Sequence, residues 1–199
     1  YVAQARRTLT PQAMKQHIGE LLDASAKTQR VLECAAQCEQ LADNYHRMES
    51  FLFLGRAVHY PIAMDGALKL KEVSYVHAEG YPTGETKHGP NALIDESLPV
   101  VIIATHDPRD PGSLLRYEKS VANITGFKKQ GGRIIALATE GDQQVPRLAD
   151  HTIMIPAAPE LLSPILEIVP LQLFAYYMAV RRGLDVDRPR NLTKSVTVE

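Results

Sequence analysis

The sequence lacks the features that would mark a nucleic-acid or membrane partner. It has no dense run of Lys or Arg, and its net charge is −1, so no polyanion is expected to bind it. No apolar stretch is expected to be long enough to cross a bilayer, and no charged-then-apolar signal sequence opens the chain. These absences favour a soluble globular protein with neither nucleic acid nor membrane as a partner.

Cysteine is scarce, and its spacing does not suggest a metal centre. Cys34 and Cys38 lie four residues apart in a helical-looking segment and could supply half of a metal site. No second ligand pair follows at metal-like spacing, so we interpret them as buried free thiols. This cysteine usage fits a reducing, cytoplasmic setting.

Phosphate-binding motifs are also missing. The sequence contains neither the GxGxxG pattern nor a P-loop. The first predicted strand is not followed by a Ser/Thr-rich turn, which is where an α/β protein would be expected to bind phosphate. If the ligand is phosphorylated, its main phosphate site is therefore expected elsewhere.

The chain has 199 residues, enough for one α/β domain with additional helices. It starts at Tyr1 rather than Met, which we interpret as the boundary of a fragment. Residues 11–48 are predicted to be helical, because Thr10-Pro11 is typical of a helix start. Two apolar stripes are expected to pack in this segment: Met14, Ile18, Leu21 and Leu22, then Val31, Leu32, Ala35 and Leu41.

From about residue 49 the sequence predicts alternating strands and helices. The predicted strands are short, apolar throughout and lie at 51–54, 99–104, 133–138 and 151–155. Helical patterns separate or follow them at Tyr60–Gly80, Ser113–Gln130 and Leu161–Val180. Strands of this kind are typical of a parallel sheet covered on both faces, so we expect a doubly wound, flavodoxin-like α/β fold preceded by a helical segment.

The predicted helix Tyr60–Gly80 carries the first candidate site. At about 100° per residue, Lys69, Glu72, Val76 and Glu79 fall on one side of it. A Lys-x-x-Glu pair is most often a surface ion pair. Alternatively, Glu72 is a carboxylate base with a cation beside it.

A second candidate is His88, in the predicted loop Tyr81–Ala92. The loop is long and polar, and Gly89 and Pro90 follow the histidine and restrict its backbone. Its imidazole could exchange a proton near neutral pH. The other histidines lack such a setting. His59 and His77 are expected to pack or to face solvent, and the rest are treated as background: His17, His46, His106 and His151.

Three segments together resemble the glucosamine-6-phosphate synthase family. They are GALKLKEVSYVHAEGY (66–81), GETKHGPNALI (84–94) and the terminal DVDRPRNLTKSVTVE (185–199). The first two occur in looser form across sugar isomerase (SIS) domains, whereas the third is close to diagnostic for the synthases. Composition alone would favour disorder for the polar stretch 184–199, so only the resemblance suggests a function for it.

The resemblance implies a domain organisation and partners. The family carries a glutaminase domain followed by two SIS subdomains, and this chain resembles the second subdomain. Residues 1–48 would lead out of the first SIS subdomain, 49–183 would form the second, and 184–199 would be an active-site tail. A homodimer is implied, with fructose 6-phosphate as substrate and glucosamine 6-phosphate as product.

The resemblance also implies roles for individual residues. Glu72 matches the base that moves a proton between C1 and C2, and Lys69 a lysine on the same active-site helix. His88 matches a histidine that assists sugar-ring opening in the neighbouring subunit. Lys194 matches the lysine that forms a Schiff base with the open-chain ketose, and the backbone at Thr193 would approach the phosphate.

This chemistry needs neither a cofactor nor a metal, since a lysine imine acidifies the C1 proton and one carboxylate can carry it to C2. Two alternatives remain. One is a related double-SIS sugar-phosphate deaminase or deglycase, which would lack the glutaminase domain. The other is a non-catalytic sugar-phosphate-binding SIS module, against which the base and the tail lysine both count. The family's phosphate loop belongs to its first subdomain, so this chain alone is expected to be inactive.

Overall fold

The computed structural model describes residues 1–192, and its N-terminal part is helical. A single turn, α1 (Val2–Ala5), precedes the long helix α2 (Pro11–Val31). The Thr10 side chain accepts a hydrogen bond from the Ala13 N–H at 3.2 Å, which confirms the predicted helix start. A 3₁₀ turn at Leu32–Cys34 separates α2 from α3 (Ala35–Tyr45).

The rest of the described chain forms a five-stranded parallel sheet with three large helices. The strands are β1 (Ser50–Gly55), β2 (His77–Pro82), β3 (Val100–Ala104), β4 (Ile134–Thr139) and β5 (His151–Ile155). The helices are α4 (His59–Ser74), α5 (Pro111–Lys129) and α6 (Ser163–Arg181). The strand order β2-β1-β3-β4-β5 is the doubly wound, flavodoxin-like arrangement, so the predicted fold class is confirmed.

Alternating strand residues build a core on each face of the sheet. Phe51, Phe53 and their counterparts in β3 to β5 pack with residues of α3, α4 and α6. Leu52, Leu54 and the other set pack with α5. Strands β1, β3 and β4 are buried on both sides, which explains their uninterrupted apolar sequences.

The N-terminal helices divide into a buried and an exposed part. Helix α3 belongs to the main core through Cys38, Leu41, Ala42 and Tyr45. By contrast, Ile18 and Leu21 of α2 are 52% and 53% exposed, and Leu22 is 71% exposed. The prediction that this first apolar stripe packs is therefore wrong for these three side chains within this chain.

The predicted helix Tyr60–Gly80 is too long. Helix α4 ends at Ser74, because Tyr75 adopts the left-handed conformation with φ 57°. The chain then forms β2, an edge strand bonded only to β1, with Leu54 opposite Tyr81. The predicted loop Tyr81–Ala92 is consequently the end of β2 followed by two 3₁₀ turns, Thr83–His88 and Pro90–Leu93.

Helix α6 corrects one expectation from composition. By length and composition alone, Ser163–Arg181 is long and apolar enough to cross a membrane, contrary to the prediction that no segment is. Half of its apolar stretch is buried inside the protein, where Leu166, Leu171 and Phe174 join the main core. A core helix of a globular protein passes the same test.

Candidate active site

Lys69 and Glu72 form an ion pair in the second half of α4. The Lys69 Nζ donates to Glu72 Oε2 at 2.7 Å, as expected for residues three apart on a helix. Their side chains are 35% and 30% exposed, so a ligand can reach both. The hydrogen bond to Glu72 raises the pKa of Lys69, against an opposing effect of partial burial. Lys69 is thus a firmly protonated neighbour of an accessible carboxylate.

The other two residues predicted to share this helix face do not do so. Val76 is buried beyond the end of α4, and Glu79 lies in the edge strand β2. The reversal at Tyr75 separates them from the Lys69–Glu72 pair. Only the Lys-x-x-Glu part of the predicted face exists as a helical arrangement.

The ion pair borders a cavity of about 620 Å³, here called the Glu72 cavity. Helix α4 supplies Lys69, Glu72 and Val73 to its wall. The segment after α6 supplies the rest, with Val186, Asp187, Arg188, Pro189 and Leu192. The polar segment that composition associates with disorder therefore faces the candidate base over residues 186–192.

Two contacts between Tyr75 and Arg190 fix this segment against the end of α4. The Arg190 N–H donates to the Tyr75 hydroxyl at 2.8 Å, and its guanidinium lies 4.2 Å from the centre of the Tyr75 ring. Leu192 is the last residue described, so the predicted site residues Thr193 and Lys194 lie outside the described residues. The chain that leads to them passes along the Glu72 cavity.

His88 is not part of the Glu72 cavity wall. It ends the 3₁₀ turn Thr83–His88, with its side chain 75% exposed and its Nε2 3.9 Å from a Glu85 carboxylate oxygen. This turn follows the edge strand β2 and therefore lies at the border of the sheet. A single chain brings Lys69 and Glu72 together but presents His88 outward.

The carboxyl edge of the sheet, where open α/β folds commonly bind ligands, carries a group of ion-paired side chains here. A cavity of about 510 Å³ at this edge is lined by His17 and several carboxylates: Glu20, Asp107, Asp110 and Glu160. These carboxylates are paired with two arginines: Glu20 and Asp107 contact Arg109, and Asp110 and Glu160 contact Arg116. Glu72 lies near the opposite edge, about 20 Å along α4 from its first residue. A ligand bound beyond the carboxyl ends of the strands would therefore lie far from Glu72.

A buried polar network occupies the start of α4. His59 Nδ1 lies 2.9 Å from an oxygen of Glu167, a residue of α6 that is 0% exposed. The Thr105 hydroxyl donates to the same carboxylate. His59 Nε2 lies 3.7 Å from Glu160, which in turn forms a bidentate ion pair with Arg116.

The sequence analysis missed this network: it expected His59 to pack or to face solvent, and the structure shows it buried against Glu167. A signal exists in the sequence, because Glu167 stands alone in the apolar stretch of α6. Glu is almost never fully buried unless it is paired, so a carboxylate there requires a buried partner. Within residues 1–192, no three His, Cys, Asp or Glu side chains are grouped to hold a metal ion.

Comparison with known proteins places this fold and site in a family. The SIS domain family matches residues 45–182, and the chain therefore belongs to it. Along its whole length the chain is 49% identical to the glutamine–fructose-6-phosphate aminotransferase (isomerizing) of Thermus thermophilus, of which it covers 32%. It thus spans about a third of that relative. The predicted resemblance to glucosamine-6-phosphate synthases is confirmed.

Solved structures agree with this assignment. The C-terminal domain of the glucosamine-fructose-6-phosphate aminotransferase from Francisella tularensis superposes with a TM-score of 0.83 at 32% identity, over 94% of this chain and 51% of that one. Glucosamine-6-phosphate deaminase from Thermotoga maritima superposes with a TM-score of 0.63 at 23% identity, over 87% of this chain and 48% of that one. The second likeness shows the fold alone.

Proposed function

We propose that this chain is the second SIS subdomain of a glutamine–fructose-6-phosphate aminotransferase and supplies the base that isomerises the sugar. The observation that carries the proposal is the Glu72 cavity. An accessible carboxylate, its cationic neighbour Lys69 and the segment leading to Lys194 border one space. A surface ion pair without a function would not need a C-terminal segment fixed over it.

The chemistry assigns each group one role. The Lys194 amine attacks C2, the carbonyl carbon of the open-chain ketose, water leaves, and an imine forms. Ammonia then adds to C2 and the lysine amine leaves, which frees Lys194 and gives an imine of ammonia whose C1 protons are acidified. Glu72 removes a C1 proton and returns it to C2, which converts the ketose into the aldose skeleton. Lys69 holds Glu72 in position through the 2.7 Å hydrogen bond. The backbone at Thr193 approaches the phosphate.

His88 would act in the active site of a second copy of the chain. Its exposure at the border of the sheet, away from the Glu72 cavity of its own chain, supports this proposal. In a two-fold symmetric dimer, each His88 would reach the partner's substrate and assist ring opening. Gly89, with φ 156°, holds a backbone conformation open mainly to glycine directly after the histidine.

The remaining parts of the activity belong to the rest of a longer cytoplasmic protein. The sequence has neither a P-loop nor a Ser/Thr-rich turn after its first strand, which supports a main phosphate site in the preceding SIS subdomain; a glutaminase domain would supply ammonia. Within this chain we assign 49–183 to the second SIS subdomain and 184–199 to the active-site tail. Residues 1–48 lead in from the first subdomain, although α3 already packs in the main core.

Trapping the imine tests the proposal directly. The longer protein incubated with fructose 6-phosphate and borohydride should carry a reduced sugar adduct on Lys194, found by peptide mass spectrometry. The Lys194→Arg variant should carry none, because a guanidinium keeps the charge but is not a usable nucleophile. An active wild type without an adduct, together with an active Lys194→Arg variant, would contradict the proposed chemistry. Glutamine-dependent turnover separates a synthase from a deaminase.

A further inference from the structure

Cys34 and Cys38 form a close thiol pair that the proposed function does not use. Their sulfur atoms lie 3.7 Å apart, close enough for one thiol to donate a hydrogen bond to the other. The pair lies where α2 gives way to α3, with Cys34 in the last position of the intervening 3₁₀ turn. Both thiols are free in the structure.

The two sulfurs differ in access to solvent. Cys34 is partly exposed, whereas Cys38 is 0% exposed and belongs to the main core. The Cys38 thiol also lies 3.6 Å from the Pro170 carbonyl oxygen of α6. A reagent in solution can therefore reach Cys34, whereas Cys38 is shielded from solvent.

The hydrogen bond between the thiols makes them chemically unequal as well. Donation from Cys38 lowers the pKa of Cys34, against an opposing effect of partial burial, and a backbone hydrogen bond assists. The same bond, together with burial, raises the pKa of Cys38. Thiolate therefore forms on the sulfur that solvent reaches, and the thiolate is the reactive form.

We propose that Cys34 is a site of reversible oxidation by hydroperoxides and that Cys38 is its resolving thiol. The Cys34 thiolate attacks one peroxide oxygen, the O–O bond breaks, and a sulfenic acid forms while hydroxide or alkoxide leaves. Cys38 sulfur then attacks Cys34 sulfur, the S–O bond breaks, and the hydroxyl leaves as water with the Cys38 proton. One peroxide is reduced by two electrons and two thiols become one disulfide.

The local backbone makes this step feasible but strained. Residues four apart on a regular helix have Cβ atoms about 5–6 Å apart, whereas a disulfide needs about 3.5–4.5 Å. Cys34 is not within a regular helix, since its ψ is 0° and a 3₁₀ turn precedes it. The adjustment would fall on the first turn of α3 and move Cys38 away from Pro170. A strained bond of this kind is readily reduced, as suits a transient oxidation in a reducing compartment.

Two variants separate the roles of the thiols. Cys34→Ser removes the reacting sulfur at a partly exposed position, and Cys38→Ala removes the resolving sulfur while keeping a buried apolar side chain. Each folded chain is treated with one equivalent of hydrogen peroxide, and its intact mass is measured before and after dithiothreitol. Circular dichroism confirms that the variants fold, and each chain oxidised in denaturant is the matched control.

The expected masses differ between the chains. Wild type should lose about 2 Da and recover with dithiothreitol, whereas Cys38→Ala should gain about 16 Da and react with dimedone, a sulfenic acid reagent. Folded Cys34→Ser should stay unmodified. Iodoacetamide should alkylate Cys34 at least about tenfold faster than Cys38 in the folded wild type. Oxidation of folded Cys34→Ser at the wild-type rate, or a wild type that acquires oxygen on Cys34 without forming the disulfide, would overturn the proposal.

Discussion

Helix α4 carries an acid–base pair at each end, and the two pairs differ in burial. At its first residue, His59 contacts Glu167, and these side chains are 3% and 0% exposed. In its last turn and a half, Lys69 contacts Glu72 with about a third of each side chain exposed. Both pairs have the short contacts of a catalytic dyad. Within residues 1–192 the second pair borders the Glu72 cavity, whereas the first is buried, so access distinguishes the candidate site from the structural pair.

The buried pair is also expected to contribute more to folding stability than the exposed pair. An ion pair exposed to solvent contributes about 0–1 kcal/mol to stability. Removal of one partner from a buried pair leaves an uncompensated polar group and costs about 3–5 kcal/mol. Lys69–Glu72 is therefore dispensable for folding and available for chemistry, whereas His59–Glu167 connects α4 to α6.

The largest effect is expected from Glu72→Gln in the longer protein. The amide keeps the shape but cannot take a proton, so synthesis of glucosamine 6-phosphate should fall about 10²–10⁴-fold. Glutamine hydrolysis and the unfolding temperature should stay near wild type. Glu118→Gln, at an exposed position of α5, is the control and should be fully active. If the Glu72→Gln enzyme works at the normal rate, the Lys69–Glu72 pair is only a surface ion pair and Glu72 is not the base.

Mixing two inactive variants tests whether His88 of one chain acts in the Glu72 site of another chain. Full-length Glu72→Gln and His88→Asn proteins should each be inactive alone. After subunit exchange, one site of every mixed dimer contains both substitutions and the other contains neither, so about a quarter of wild-type activity should return. If His88 serves its own chain, verified mixed dimers would stay inactive.

Glu167→Ala should lower the free energy of unfolding of the 199-residue chain by about 3–5 kcal/mol. The substitution strands His59 and the Thr105 hydroxyl without their common acceptor. Urea unfolding followed by circular dichroism measures the loss. A double variant, His59→Leu with Glu167→Met, replaces both polar partners by apolar ones and should regain much of it. A loss below about 1 kcal/mol in the single variant would mean that the buried pair contributes no more to stability than an exposed ion pair does.

The smallest effect is expected from Tyr75→Phe. The ring that stacks on the Arg190 guanidinium remains, but the hydroxyl that accepts its backbone N–H is lost, at a local cost of about 0.5–1.5 kcal/mol. Hydrogen exchange at the Arg190 amide should accelerate about 2–10-fold. Global stability should change by less than about 0.5 kcal/mol. The matched control, Tyr176→Phe on the exposed side of α6, should leave that amide unchanged.

The sequence predicted most of the fold because four strands are apolar on both faces. Strand β2 was not predicted, because it is an edge strand whose sequence, His77–Pro82, has no apolar run. The end of α4 was missed for a related reason: a tyrosine occupies the left-handed position where glycine is usual, so the helical pattern continued unbroken. The exposure of Leu22 could not be predicted, since periodicity shows a face but not whether anything covers it.

For the candidate site, sequence reasoning found the local pair but not its surroundings. Lys69 and Glu72 lie one turn apart, and local spacing predicts their contact. The approach of residues 186–192 to Glu72 joins positions more than a hundred residues apart, and no local pattern encodes it. The same holds for the contact between His59 and Glu167, although a lone carboxylate in an apolar helix does indicate that a buried partner exists. Thr193 and Lys194 stay predictions.

Residue 75 has two structural duties that favour different amino acids. Its left-handed backbone suits glycine, and a tyrosine there is strained by about 1–3 kcal/mol. Glycine would remove that strain but would also remove the ring and hydroxyl that hold Arg190. The helix end alone would thus favour glycine, whereas placement of the C-terminal segment favours tyrosine. The tyrosine at this strained position thus serves the C-terminal segment that it holds beside Glu72.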